Sequence, residues 1–297
     1  MLRTPHSGIA LALSVAFLSA PHTSRAQVDT ALIPRILGDE LSHPFEIDEE
    51  KSKKMLDSMS NSATKRLDQN NQAWNASSPK WKAVYDRVHA DLELEMPAIR
   101  EAVKSEAQKQ QQDGKADIAA RLSQSDVDAI LAYYTTPEGQ RYQEFAQRVD
   151  KIMSSGMGNL ASLRATSNEQ HSATKPTPEQ TTRYTRLLTL SRPYQSIVAA
   201  SQAQKDPSGY GGVIGFGMGL AIRKSQQELE ALDNEYAADL TNFEAFTKTD
   251  AEQHLFAAMG QAMLRMGKDT SLVGFFQAVE QKHESDWTAL YLAQGPP

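Results

Sequence analysis

The amino-acid sequence predicts an all-α fold, a helical bundle built from αα-hairpins. Apolar residues recur every three to four positions along most of the chain, which is typical of helices with one buried face. Proline, glycine and capping residues mark the ends of these segments. The clearest example is Leu122–Val149, where two amphipathic segments meet at a corner formed by Thr135, Thr136 and Pro137. Helices joined by so short a connection pack as an αα-hairpin.

The N-terminus predicts export through a secretory signal peptide over residues 1–26. Arg3 and His6 precede the apolar run Gly8–Ala20, and Ser24-Arg25-Ala26 is a small-x-small cleavage site. A membrane anchor needs about 20 apolar residues, so this run is too short for one. We expect cleavage near Ala26 and no membrane span in the mature protein. The alternative is a buried N-terminal helix.

The composition excludes several classes of function. The chain of 297 residues has no cysteine, so it forms neither disulfides nor a zinc–thiolate site. The formal net charge of −6 disfavours nucleic acid as a partner, because proteins that bind nucleic acid have a basic face. A chain of this length buries enough apolar surface to fold without such cross-links.

Two helical domains are predicted for the mature chain. The first covers 27–164 and the second covers 177–297. The segment 165–176 between them is polar and has no apolar periodicity, which is typical of a linker. Thr177 is placed as the cap of the next helix, because a proline follows it at the first helical position.

The first domain is predicted to contain an amphipathic helix over Ile47–Met59 and a long helix from Pro79. Pro97 predicts a kink or a break in the long helix, since a proline inside a helix lacks an N–H donor and clashes with the preceding turn. The polar run Gln108–Gly114 predicts the end of this helix.

The hairpin at Leu122–Val149 has the signals of two helix starts. Ser123 can cap the first helix as part of a capping box with the acidic residue three positions later. Thr136 is placed as the cap of the second helix, and Pro137 occupies its first position. Gly139 lies in the first turn, where glycine is unfavourable, so we expect close packing there against the preceding helix.

These residues resemble the hallmark of a family of exported proteobacterial proteins, known only as domain of unknown function 2059. The matching residues are Leu122-Ser123 and the run AYYTTPEG at 132–139. The resemblance implies an all-helical envelope protein, periplasmic or secreted, and it transfers no catalytic residue. We interpret the matching residues as structural. They are Ser123, Tyr133, Tyr134, Thr136, Pro137 and Gly139.

The second half of the chain resembles the first half weakly. One shift (239 − 126 = 113) aligns Asp126 with Asp239 and Thr136 with Thr249. The proline and glycine of the family motif are absent from the second copy, but Thr249 and Glu252 still form a capping-box pattern. We predict a diverged repeat, with chance similarity between helical patterns as the alternative.

A glycine-rich segment, Gly209–Gly219, has the most unusual composition in the chain. A phosphate-binding loop would need the dinucleotide glycine spacing or a Gly-Lys-Ser/Thr ending, and neither is present. We interpret the segment as a flexible or tightly packed connection that leads into a helix over Ala221–Ala238.

Three methionines, Met259, Met263 and Met266, recur on one helical face with His254 nearby. Thioethers can bind Cu(I), which makes a copper site one interpretation. Methionine also fills irregular gaps in cores, and we expect a core face without a cofactor or metal. The same face carries Leu255, Ala258 and Ala262.

No residue can be assigned a catalytic role from the sequence. His254 and His283 belong to no His-x-x-x-His pair, and the single Glu280-x-x-His283 lacks the second copy that a di-metal bundle needs.

The sequence favours a non-catalytic binding or scaffolding protein of the bacterial envelope, with another envelope protein as one candidate partner. The alternatives are a periplasmic enzyme such as a hydrolase, with a site between the two halves, and a copper-binding protein. A pocket that joins His254 or His283 to a carboxylate would favour the enzyme.

Overall fold

The computed structural model describes residues 28–38, 47–158, 175–204, 207–266 and 269–294. These ranges are helical and contain no strand, so the predicted all-α class is confirmed. None of their helices combines the length and apolar character that crossing a bilayer requires. The elements are a 3₁₀ turn Thr30–Leu32, α1 Ile33–Leu37, α2 Glu49–Arg66, α3 Pro79–Arg121, α4 Gln124–Tyr134, α5 Pro137–Gly158, α6 Pro178–Thr189, α7 Arg192–Gln204, α8 Pro207–Lys224, α9 Gln226–Tyr236, α10 Leu240–Thr247, α11 Asp250–Met266 and α12 Ser271–Gln294.

Two of the sequence-based predictions concern other parts of the chain. The signal peptide over 1–26, with its cleavage site at Ala26, lies outside the described residues. So do positions 165–174 of the predicted linker.

The helices form two hydrophobic cores. The larger core is built from α1, α4 to α11 and the C-terminal end of α3, and aromatic rings of α5, α9 and α10 meet in it. The smaller core is built from α2, α12 and the N-terminal part of α3, with Trp74 packed between Trp81 and Tyr291. The larger core takes residues from both sides of 165–176, so the predicted linker does not separate the two cores.

Helix α3 is continuous over 43 residues and passes through Pro97. Of the two outcomes predicted at Pro97, a kink or a break, the break is therefore wrong, and so is the predicted end at Gln108–Gly114. A proline inside a helix costs about 3 kcal/mol. Packing outweighs this cost, because Met96 and Ile99 on either side of the proline are buried in the smaller core.

The glycine-rich segment also differs from its prediction. Gly209–Gly219 lies within helix α8, and the next break falls at Ser225, so a connection followed by one helix over Ala221–Ala238 is wrong. Glycine costs a helix about 1 kcal/mol relative to alanine. Burial of the C-terminal part of α8, which includes Met218, Leu220 and Ile222, offsets that cost.

The hairpin corner at Thr136 has the predicted chemistry. Ser123 and Asp126 form a complete capping box at the start of α4. The Thr136 hydroxyl accepts the backbone N–H of Gly139 at 3.0 Å. A Cβ atom on Gly139 would lie 1.9 Å from the carbonyl oxygen of Tyr133, which is the close approach to the preceding helix expected from the sequence.

Three corners in the larger core share one hydrogen-bond pattern. The corner residue is Thr136 between α4 and α5, Ser191 between α6 and α7, and Thr249 between α10 and α11. Its N–H donates to the carbonyl three residues earlier, at 2.9, 3.1 and 2.9 Å respectively. Its carbonyl accepts the N–H of a glutamine four residues later, at 3.0, 3.1 and 3.0 Å. The glutamines are Gln140, Gln195 and Gln253.

Two of these corners are the pair aligned by the 113-residue shift, and the corner at Ser191 was missed in the sequence. Tyr133 and Phe246, which that shift also equates, stack on each other with ring centroids 3.7 Å apart. A shared corner geometry is a common property of αα-hairpins. The diverged repeat therefore stays a prediction.

Candidate functional site

A buried arginine contacts residues of the larger core. Arg192 is the first residue of α7, and only 3% of it is exposed. Its Nη1 donates to the carbonyl oxygen of Leu37 at 3.1 Å, and its Nη2 donates to the hydroxyl of Tyr134 at 2.6 Å. Its Nε–H has no hydrogen-bond partner among the described residues. A buried donor without a partner is unusual, because it loses its hydration for no protein hydrogen bond.

The acidic groups around Arg192 keep its guanidinium charged. Its backbone N–H donates to the carboxylate of Asp150 at 3.0 Å. Burial opposes the charged form of Arg192, but ionisable oxygen groups around it favour that form and raise its pKa above the usual value. They are the phenols of Tyr134 and Tyr142 and the carboxyl groups of Asp150 and Glu252.

Glu252 is the second buried ionisable group of this cluster. It is fully buried in α11, and its Oε1 lies 3.4 Å from the hydroxyl of Tyr134, while its Oε2 has no partner among the described residues. Burial raises the pKa of Glu252 from 4.5 to about 7, although the charge of Arg192 and the hydrogen bond from Tyr134 both oppose the rise. Burial likewise raises the pKa of Tyr134 and of Tyr142, so both phenols stay neutral.

A cavity of about 170 Å³ lies beside this cluster, and Arg192 forms part of its wall. We call it the methionine–arginine cavity. Its surface is mostly apolar, with one charged side chain and two glutamines. The lining residues are Leu37, Gln110, Gln111, Gly114, Ile118, Arg192, Met259, Ala262, Met263 and Met266.

The three methionines of the predicted core face line this cavity. Met259 and Met266 are half-buried, while Met263 is 37% exposed, so the prediction that Met263 is a core residue is wrong. The face turns out to be divided: Ala258 and Ala262 enter the larger core, whereas the methionines lie at its edge against α3. A cation such as Cu(I) would meet the positive charge of Arg192 there, which disfavours the copper interpretation. The described residues also contain no group of three or more His, Asp or Glu side chains placed to hold a metal ion.

The two histidines singled out in the sequence each contact a carboxylate. His254 Nδ1 lies 3.0 Å from Asp126 Oδ1, and both residues line an open hollow of about 430 Å³. The Ser123 hydroxyl bonds to Asp126 at 2.6 Å, so it is not held by the imidazole as a catalytic serine would be. His283 lies 3.2 Å from Glu95 in another part of the molecule and stacks on Trp287.

Of the six motif residues, Tyr134 alone reaches the Arg192 cluster directly. Tyr133 stacks on Phe246, and Thr136 and Gly139 form the corner described above. Little in the sequence indicates the cluster, because Arg192 precedes a proline at a helix start and Glu252 occupies a capping position, and residues at such positions usually lie in solvent.

The assignment of this candidate site rests on the geometry of its residues alone. No family model, no curated protein and no solved structure matches this chain.

Proposed function

We propose that this chain is an exported, non-catalytic binding protein of the bacterial envelope that holds a small ligand in the methionine–arginine cavity. The signal-peptide pattern and the family resemblance of the hairpin support export. The observation that carries the binding function is the buried, charged Arg192, with its unpaired Nε–H, in the wall of a mostly apolar cavity.

The physical argument starts from the cost of burying a charge. A buried ion destabilises a protein unless hydrogen bonds and charges satisfy it, and Arg192 is only partly satisfied. An apolar cavity with a few fixed polar groups is the usual form of a small-molecule site. A ligand that accepts a hydrogen bond from the guanidinium would complete the coordination and fill the cavity at the same time.

A blocking variant tests the proposal without changing Arg192. A Cβ on Gly114 would lie 3.9 Å from the sulfur of Met266, so Gly114→Leu extends a side chain into the cavity. Gly274→Leu is the matched control, because nothing lies within 4 Å of a Cβ there. We expect native mass spectrometry of wild-type protein from periplasm to show one retained small molecule. Gly114→Leu should lose it and the control should keep it.

A result in which no variant retains a molecule, and no added compound stabilises the wild type, would overturn the proposal.

Export is tested on the same material by N-terminal sequencing. We expect the exported protein to begin near Gln27, and a full-length chain in the cytoplasmic fraction would contradict export.

A periplasmic hydrolase is the second candidate, and the Asp126–His254 pair favours it. In that mechanism Asp126 would orient the imidazole, and Nε2 would activate a water molecule. We expect wild type and His254→Gln to hydrolyse a panel of nitrophenyl esters equally slowly. Ester hydrolysis by the wild type that disappears in His254→Gln would favour the enzyme.

A further inference from the structure

We infer that the methionine–arginine cavity binds a compact monocarboxylate with an apolar, ring-sized body, of which benzoate is the simplest example. The inference rests on the proposed binding function and adds the chemical class of the ligand. It follows from three properties of the cavity: its single cation, its volume and its sulfur-rich lining.

The cation selects the polar end of the ligand. Among the described residues, two hydrogen bonds engage the guanidinium of Arg192, one to the carbonyl of Leu37 and one to the hydroxyl of Tyr134. Both partners are neutral oxygens, a backbone carbonyl and a phenol hydroxyl. The side-chain carboxylate of Asp150 is engaged by the backbone N–H of Arg192 instead. A carboxylate matches the flat fork of a guanidinium better than a neutral acceptor does.

The volume limits the apolar end. An engineered apolar cavity of about 150 Å³ binds one benzene molecule. The methionine–arginine cavity, at about 170 Å³, is therefore large enough for one six-membered ring and little more. Long-chain acids exceed it. A dianion such as phosphate would bring a second negative charge into an apolar site with one cation, which is unfavourable.

The lining favours a ring over a short aliphatic chain. Met259, Met263 and Met266 bring three thioether sulfurs to the cavity. Sulfur makes favourable contacts with aromatic rings, and the flexible methionine side chain adapts to the shape of its guest. The remaining apolar side chains of the lining are Leu37, Ile118 and Ala262.

Calorimetric titration of the mature chain with matched probes tests the ligand class. The probes are benzoate, the neutral benzyl alcohol, the dianion phthalate and the long-chain decanoate. We expect benzoate to bind with one-to-one stoichiometry and about tenfold or more tighter than benzyl alcohol, because hydrogen bonds to a charged acceptor are stronger. Phthalate and decanoate should not bind.

Two variants connect benzoate binding to this cavity. Gly114→Leu should abolish it and Gly274→Leu should preserve it. Arg192→Lys keeps the charge but loses the fork, so it should weaken benzoate binding about tenfold or more and affect benzyl alcohol less, because an alcohol cannot form the two-point contact that a carboxylate forms with a guanidinium. Should Arg192→Lys fail to fold, as judged by circular dichroism, the comparison of Gly114→Leu with wild type still decides whether the site is this cavity.

The outcomes separate the ligand class from the proposed function. Benzyl alcohol binding as tightly as benzoate, with both lost in Gly114→Leu, overturns the carboxylate and leaves the binding function standing. A molecule retained from periplasm by a protein that binds no probe does the same. Benzoate binding that persists in Gly114→Leu places the site elsewhere and overturns the inference. If the protein retains no molecule from periplasm and also binds none of the probes, both the ligand class and the proposed binding function are overturned.

Discussion

Arg192 and Glu252 are both buried, and the ionisation of Glu252 ties the stability of the protein to pH. Both side chains belong to helix starts, α7 and α11, and both contact the hydroxyl of Tyr134. The hydroxyl of Tyr134 accepts a hydrogen bond from Arg192 and lies 3.4 Å from Glu252, so it connects the two ionisable side chains. These contacts of Tyr134 therefore link α4, α7 and α11 through polar groups in an otherwise apolar environment.

We predict that Glu252→Gln stabilises the protein at neutral and alkaline pH. Burial raises the pKa of Glu252 from 4.5 to about 7, so between these values the folded protein holds a proton that the unfolded chain releases. The stabilising contribution of this proton is complete below pH 4.5 and is lost as the pH rises to about 7. The whole change is worth about 3 kcal/mol. Urea unfolding of wild type and Glu252→Gln between pH 4 and pH 8 measures it, and a constant difference across that range would contradict the assignment.

A second prediction concerns Met263. Because its side chain is 37% exposed, Met263→Ala should cost about 1 kcal/mol, below the 2–5 kcal/mol typical of a buried methionine. Leu255→Ala is the matched control on the same helix: Leu255 is fully buried, and its loss should cost about 2–5 kcal/mol. Met263→Leu should be nearly neutral. Thermal melts rank the three.

Titration with Cu(I) completes this comparison. We expect no tight copper binding to the wild type. A stoichiometric copper site that disappears in Met263→Leu would restore the copper interpretation.

At the scale of the element, the helix corners decide how closely neighbouring helices approach. Gly139 faces the backbone of α4, and Gly260 of α11 faces the backbone of α7, where an added Cβ would lie 2.6 Å from the carbonyl oxygen of Ser196. Backbone atoms cannot move aside as a flexible side chain can. These two glycines therefore fix the α4–α5 corner and the crossing of α7 with α11.

We predict that Gly139→Ala and Gly260→Ala each destabilise the protein by about 1–3 kcal/mol, the usual cost of overpacking. Gly274→Ala is the control, because it lies in a helix with open space around it. All three substitutions gain the higher helix propensity of alanine, so the control should be stabilised by up to about 1 kcal/mol. Equal melting temperatures for all three variants would show that the close backbone contacts at Gly139 and Gly260 do not affect stability.

Local chemistry explains which features the sequence could predict. The capping box at Ser123 and the helix cap at Thr177 depend on residues within one turn, and both are present as predicted. The helical state of the glycine-rich segment and the continuity of α3 past Pro97 depend on burial against distant helices, which outweighs local propensity. The Arg192 cluster was missed for the same reason, because its members lie on four helices that meet only in the folded core.

At the scale of the whole molecule, Pro97 is the position where a single substitution is most clearly expected to raise the stability of the fold. Its side chain is exposed, so it contributes no packing to offset its cost to α3. Replacing it by alanine restores a helical hydrogen bond but frees the unfolded chain, and we expect a net gain of about 1–3 kcal/mol. One cooperative melt at a higher temperature is the expected result. A lower melting temperature would show that the proline sets a bend that the two cores require.

The continuity of α3 has a consequence for the reach of the ligand. Its 43 residues make a rod about 65 Å long, with the methionine–arginine cavity near one end and the tryptophans of the smaller core near the other. Amide protons of Val88 and Leu92 exchange with solvent when their end of the rod frays or when the whole rod opens. A ligand in the methionine–arginine cavity, which Gly114 lines, suppresses opening of the whole helix but does not affect fraying at the far end. Ligand binding would therefore slow the slowest amide exchange in the smaller core, which the ligand does not contact, without changing the structure of that core.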